Sequence, residues 1–154
     1  MTIIDTTYLL PLARIDVEAD LLRAVAEKKT TFRMGDIGVS LLSLFELQAK
    51  AAKLGIAADI ADRATRVILE TFTVVPFSDS KVVRLSFDLR KEMSDYVDCV
   101  IVATAAARRD DLVTEDSRIW TMRDSLHDRY GIKVLRYKDV IERTAAAGAD
   151  PRMP

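Results

Sequence analysis

Three stretches of this chain are apolar apart from a single carboxylate. Asp5 is the only charge in MTIIDTTYLLPLA (1–13), Glu46 the only one in IGVSLLSLFELQA (37–49), and Asp98 the only one in YVDCVIVATAAA (96–107). Runs this apolar form core elements, and the one acid in each goes inward with its neighbours or faces a pocket. Burying a lone ionised carboxylate costs on the order of several kcal/mol. None of these runs holds a Lys or Arg to pair with it. The three acids therefore point to one another, and clustered carboxylates are tolerable when a divalent cation sits among them.

The segments around the acids alternate. Residues 2–5 read as a short β-branched strand, and residues 7–13 as a helix with Pro11 as a kink. Residues 16–29 read as an amphipathic helix capped by Asp16, with Val17, Leu21, Ala24 and Val25 on one face. A brief strand at 37–40 leads into a helix at 40–54 stopped by Gly55, then a helix at 57–70. TFTVVPF (71–77) reads as a strand, and 79–93 as a helix with Val82, Val83, Leu85, Ser86 and Leu89 inward. Ser94 or Asp95 opens the helix that carries Asp98 to about Arg109. A strand at 112–114, a helix at 117–126, a strand at 132–135 and a helix at 138–144 complete the reading.

Short strands alternating with helices predict a three-layer α/β/α architecture around a mostly parallel sheet. Such sheets bind ligands beyond the carboxyl ends of their strands. Asp5 and Asp116 fall at strand ends, and Glu46 and Asp98 within about two turns of their helix starts. Four acids thus converge on one sheet edge.

With 154 residues, the length fits one domain, placed at residues 1–144. AAAGADPRMP (145–154) reads as a frayed tail. The net charge of −1 argues against a uniformly basic nucleic-acid-binding surface, though not against a local basic patch. A single cysteine, Cys99, forms no internal disulfide and fits a cytoplasmic setting. No run is long enough to span a bilayer, so no membrane partner is expected. His127 is the only histidine, which disfavours a zinc site built from imidazoles. Trp120 reads as a packing residue rather than a base-stacking platform.

Ile3-Ile4-Asp5-Thr6, Glu46 in the helix after Ser40, Asp98 followed by VIVATA, and Thr114-Glu115-Asp116 occur in an order and spacing that resembles the PIN-domain ribonucleases. The resemblance covers roughly residues 1–135. It implies the PIN-like α/β/α fold and metal-dependent cleavage of RNA phosphodiesters. It implies Asp5, Glu46, Asp98 and Asp116 as catalytic acids holding one or two Mg²⁺ or Mn²⁺ ions, with Thr6 and Thr114 orienting carboxylates or water. Many members are VapC-like toxins paired with a small antitoxin, so an antitoxin partner and a homodimer are implied too. Hard oxygen donors are what Mg²⁺ takes, and a bound metal activates water and neutralises a phosphate.

Other roles stay open for single residues. Asp5 can end a strand in a turn, Glu46 can face solvent, and Asp98 suits a first helical turn. Asp116 can cap the helix after it. Asp95 reads first as a helix-start acid and second as an accessory ligand. Arg14, Lys28, Lys29, Arg33, Lys50, Lys53, Arg118 and Arg123 are candidate cations for RNA, with no substrate-binding residue assigned among them. A dehalogenase-like phosphatase needs a second acid two residues after the first, where Thr7 stands. The non-catalytic alternative is a PIN-like RNA- or protein-binding module. Four retained acids argue against it, because clustered carboxylates without a cation repel.

Overall fold

The computed structural model describes residues 1–142. The tail expected at 145–154 lies outside the described residues, and the last helix, expected over 138–144, already ends at Val140, because Ile141 is extended and bridges Thr30 in antiparallel fashion. The chain runs through β1 (Thr2–Ile4), a 3-10 helix (Thr6–Ala13), α1 (Leu21–Ala26), a 3-10 turn (Met34–Asp36), β2 (Ile37–Ser40), α2 (Leu41–Lys53) and α3 (Ala58–Thr71). It continues with β3 (Thr73–Val75), α4 (Ser80–Leu89), α5 (Tyr96–Arg108), β4 (Asp111–Val113), α6 (Ser117–Thr121), α7 (Arg123–Tyr130), β5 (Val134–Leu135) and α8 (Tyr137–Val140).

The five strands form one sheet in the order β3-β2-β1-β4-β5, and every pairing is parallel. Because successive strand residues face opposite sides, Ile3 and Ile4 belong to different cores. Ile4, Ile37, Val39 and Val113 pack with the first 3-10 helix, α1, α2 and α3. Ile3, Val75, Leu112 and Val134 pack with α4, α5, α6 and α7. The result is the expected three-layer α/β/α arrangement. β2 runs so close to β1 that a Cβ on Gly38 would lie 2.5 Å from the Met1 sulfur and 2.8 Å from Ile3 Cδ1.

Three local expectations are corrected. The helix predicted over 16–29 is only α1, because Asp20, not Asp16, accepts a hydrogen bond from Arg23 N and starts it. Arg14, in the left-handed region at φ 59°, turns the chain out of the preceding helix. Val83, expected inward, is exposed, since α4 buries Val82, Ser86 and Leu89, one step round the helix. The helix predicted over 117–126 is two helices meeting at Met122, each sending one residue, Ile119 or Leu126, into the core.

The chain adds β2 and β3 on one side of β1, then crosses to add β4 and β5 on the other. β1 and β4 therefore flank the switch point where parallel sheets open a crevice at their carboxyl ends. Asp5 directly follows β1, and Thr114 directly follows β4.

Candidate active site

Asp5 N donates to Val113 O at 3.1 Å, which extends the β1–β4 pairing one step and fixes the first acid at the crevice. Both oxygens of its carboxylate are held. Thr6 N donates to Oδ1 at 2.7 Å, and Thr114 Oγ1 donates to Oδ2 at 2.7 Å. Thr114 is fully buried, and its oxygen in turn accepts from Asp116 N at 3.0 Å. One hydroxyl thus ties the first acid to the backbone of the last.

Glu46 reaches the same place from the second turn of α2, a helix that Ser40 caps by accepting from Leu42 N. Thr6 Oγ1 donates to Glu46 Oε1 at 2.6 Å and lies 2.9 Å from the buried Ser43 Oγ. The neighbouring Phe45 is exposed, so Ser43 and Leu47, not Phe45, mark the inner side of this helix. Asp98 sits in the first turn of α5. Asp95 caps that helix, accepting from Val97 N at 2.9 Å and Asp98 N at 3.3 Å. Asp116 caps α6 by accepting from Arg118 N at 2.8 Å and Ile119 N at 3.2 Å. Glu115 turns away from the site, where its Oε2 accepts from Tyr8 Oη and Tyr137 N.

Asp5, Glu46, Asp95, Asp98 and Asp116 line one cavity of about 310 Å³, together with Thr6, Lys50 and Arg118. The sequence expectation that the acids meet is therefore met in space. Their electrostatics follow from that meeting. Burial raises the Asp5 carboxyl above its ordinary range, against the lowering effect of its two hydrogen bonds, and the charge of Asp116 adds to the rise. Glu46 is raised by burial and by Asp5 and Asp95, with the Thr6 hydroxyl opposing. Asp98 is pushed up to about 6, first by burial and then by the charges of Asp116 and Asp95, with Arg118 opposing.

The apolar segments around these acids hold no cation for them, and the structure supplies one from α6. Arg118 Nη2 lies 3.1 Å from Asp98 Oδ2, 3.5 Å from Asp116 Oδ2 and 3.9 Å from Asp95 Oδ2. The sequence offers Arg118 as a candidate for RNA, but its contact with Asp98, twenty residues back in the chain, cannot be read from it. Ser43 escapes sequence reading too, since a serine on an apolar helix face carries no distinguishing signal. Lys28 and Arg33, of the basic stretch KKTTFR, line a different cavity.

Among the described residues, no three acidic, His or Cys side chains stand as a ready ligand shell. The cause is visible: Arg118 draws Asp98 and Asp116, while hydroxyls and a backbone amide draw Asp5 and Glu46. The donor set itself is all hard oxygen, with no sulfur or imidazole lining the cavity, and suits Mg²⁺ or Mn²⁺. The carboxyls of Asp5, Glu46 and Asp98 are raised first by burial and then by the charge of neighbouring acids, and both effects disfavour the ionised form that a cation would stabilise. The residues fit a hard divalent cation, on condition that Arg118 releases its carboxylates. Other expected roles are plain in the structure. Cys99 is fully buried, and Trp120 is half-buried against the core, with the Arg123 and Arg136 guanidinium groups over its ring at 4.5 and 4.2 Å. No helix among the described residues is long and apolar enough to cross a membrane.

A family model described as "PIN domain" matches residues 2–124. No curated protein matches. Several solved structures share the fold. A toxin–antitoxin complex from Klebsiella pneumoniae has a TM-score of 0.58 at 24% identity, over 77% of this chain and 88% of its own. FitAcB from Neisseria gonorrhoeae has a TM-score of 0.62 at 16% identity, over 91% and 100%. VapBC2 from Rickettsia felis, bound to a promoter DNA fragment, has a TM-score of 0.59 at 17% identity, over 88% and 97%.

Proposed function

This chain belongs to the PIN-domain family, and from that premise we propose that it is a divalent-cation-dependent endoribonuclease, acting as the toxin of a toxin–antitoxin pair. One observation carries the reading: carboxylates from separate elements share one cavity at the switch point of a parallel sheet. A purely structural cluster of this kind gains nothing from its mutual repulsion.

Asp5, Glu46, Asp98 and Asp116 would hold Mg²⁺ or Mn²⁺. The cation, when bound, would neutralise charge on the scissile phosphate and lower the pKa of a water, so that losing a proton makes it a nucleophile at neutral pH. The residues of the chain do the rest. Thr6 N and Thr114 Oγ1 fix the Asp5 carboxylate plane, and Thr6 Oγ1 fixes Glu46. Such outer partners govern how well ligands are aimed. Asp95 holds the first turn of α5 and so the backbone of Asp98. Arg118, exposed on its long stem, turns from Asp98 to a phosphate oxygen of the substrate. Lys50, on the other wall, adds positive charge for the same backbone. Attack by water would leave a 5′-phosphate and a 3′-hydroxyl.

The toxin reading is supported by structural neighbours described as members of toxin–antitoxin complexes and systems. An antitoxin partner, a homodimer and a cytoplasmic setting belong to the same proposal. The test is incubation of the purified protein with end-labelled RNA and Mg²⁺ or Mn²⁺. Cleavage is expected, to be stopped by chelator and by Asp98→Asn. Undiminished cleavage in excess EDTA would reject the cation mechanism, and RNA binding without cleavage under any cation would favour the binding-module alternative.

A further inference from the structure

A second cavity, of about 370 Å³, adjoins the acidic one and shares Asp95, Asp98 and Arg118 with it. It lies between the turn before α5 and the short helix α6. It is lined by Met93, nearly buried, by the half-buried Met122 and by the exposed Glu92. Ser94 and Thr121 stand at its rim. The Thr121 hydroxyl donates to Arg118 O at 2.7 Å, so its lone pairs remain free to accept. None of the acid chemistry described above uses this space.

Resting on the ribonuclease reading, we propose that this cavity receives the base of the nucleotide next to the scissile phosphate. A phosphodiester held at the four acids carries a nucleoside on each side, and each must find room at the edge of the site. The cavities adjoining the acidic one differ in character. The one reached past Thr7 and Lys50 is lined by Asp16, Glu18, Glu115 and Arg136, a charged wall suited to backbone and water. The one between Met93 and Met122 also has charged walls, in Glu92, Asp95, Asp98 and Arg118, but between them it offers two thioethers and the hydroxyls of Ser94, Ser117 and Thr121. That is the pattern of a small-molecule site, with apolar faces for area and a few polar groups for orientation. Methionine sulfur makes favourable contacts with aromatic rings and adapts to rings of different size. Hydroxyls at the rim meet the polar edge of a base. Arg118, on the shared wall, then stands between the base and the phosphate of one nucleotide.

The experiment compares RNAs that differ by one base. The cut in a single-stranded RNA is first mapped with Mn²⁺, and abasic versions are made at each nucleotide flanking it. KM and kcat are measured for wild type, Thr121→Phe and Ser94→Phe. Both positions are exposed, so the added rings fill the cavity mouth without entering the core. For wild type, one abasic RNA should raise KM by about tenfold, the change that a contact of about 1.4 kcal/mol makes, with little effect on kcat. In either phenylalanine variant, intact and abasic RNA should converge to the same KM. Circular dichroism shows which variants fold, and one folded variant suffices. The proposal is overturned if wild type treats intact and abasic RNAs alike, or if the folded variants keep the wild-type ratio while cleaving. Those results leave the ribonuclease reading standing. Failure of wild type to cut any RNA with Mn²⁺ or Mg²⁺ overturns that reading, and the base site with it.

Discussion

Arg118 and Asp98, twenty residues apart in the chain, meet at 3.1 Å across the mouth of the acidic cavity. The same guanidinium nitrogen lies 3.5 Å from Asp116 and 3.9 Å from Asp95. One side chain therefore supplies positive charge to three of the acids. Exposed ion pairs of this kind are weak and readily exchanged. A divalent cation brought to Asp98 and Asp116 competes directly with Arg118.

Replacing the guanidinium should therefore tighten cation binding. Arg118→Gln should lower the Mn²⁺ dissociation constant by roughly threefold to tenfold in calorimetric titration. The same variant should bind RNA more weakly, because a phosphate partner is gone. Equal Mn²⁺ affinity in the two proteins would show that the guanidinium does not compete for these carboxylates.

Asp98 and Asp95 should separate cleanly by rate. Losing an outer-shell partner of a metal ligand typically costs about 10–100-fold, so Asp98→Asn should cost at least about a hundredfold in kcat/KM. Asp95 caps α5, and an asparagine there still offers an oxygen to Val97 N and Asp98 N. Asp95→Asn should stay within about tenfold of wild type. Similar losses in both would make Asp95 a full ligand instead.

How much of this is legible in the sequence depends on the range of the interaction. The strands, the layers and the acids can be read because each leaves a local mark: β-branched runs, periodic apolar faces, a charge where none belongs. The caps at Ser40, Asp79 and Asp95 are readable for the same reason. The extent of α1 is not, because Asp16 and Asp20 are both good caps and only tertiary packing selects between them. Choosing Asp116 over Glu115 has support only from family spacing. In space, Tyr8 Oη holds Glu115 away. The Arg118 contact depends on how α6 is placed against α5, which no periodicity records.

Thr114 offers a test of the tie between the first and last acids. Its hydroxyl donates to Asp5 and accepts from Asp116 N, and it is fully buried. Thr114→Val keeps the shape and removes both bonds. It should lower kcat/KM by about 10–100-fold and stability by about 1–3 kcal/mol, since a buried acceptor and an amide lose their partner. Thr114→Ser should restore most of the rate. A valine variant as active as wild type would make the threonine a packing residue only.

The acids should also set how stability varies with pH when chelator is present. Asp98 has its carboxyl raised from 3.8 to about 6, chiefly by burial and by Asp116 and Asp95. A raised carboxyl pKa means that the folded state binds more protons than the unfolded state between those values. Stability then falls as pH rises through that window. Below 3.8 the effect is absent, between 3.8 and about 6 it grows, and above about 6 it is complete. Asp5 and Glu46, raised in the same direction, add to it. The side-chain amide introduced by Asp98→Asn cannot ionise. The stability of wild type relative to that variant should therefore decline across the window by about 1–2 kcal/mol, allowing for screening by Arg118 and solvent. Urea melts of both proteins with EDTA, at intervals from about pH 4 to 7.5, measure this difference across the window where the linkage operates. Millimolar Mn²⁺ should reverse it near neutral pH, because a cation bound only to the folded state stabilises by mass action, about 2.7 kcal/mol at a hundredfold excess over its dissociation constant. A wild-type advantage that instead grows as pH rises, with no response to Mn²⁺, would mean that Asp98 serves the fold through Arg118 and holds no cation.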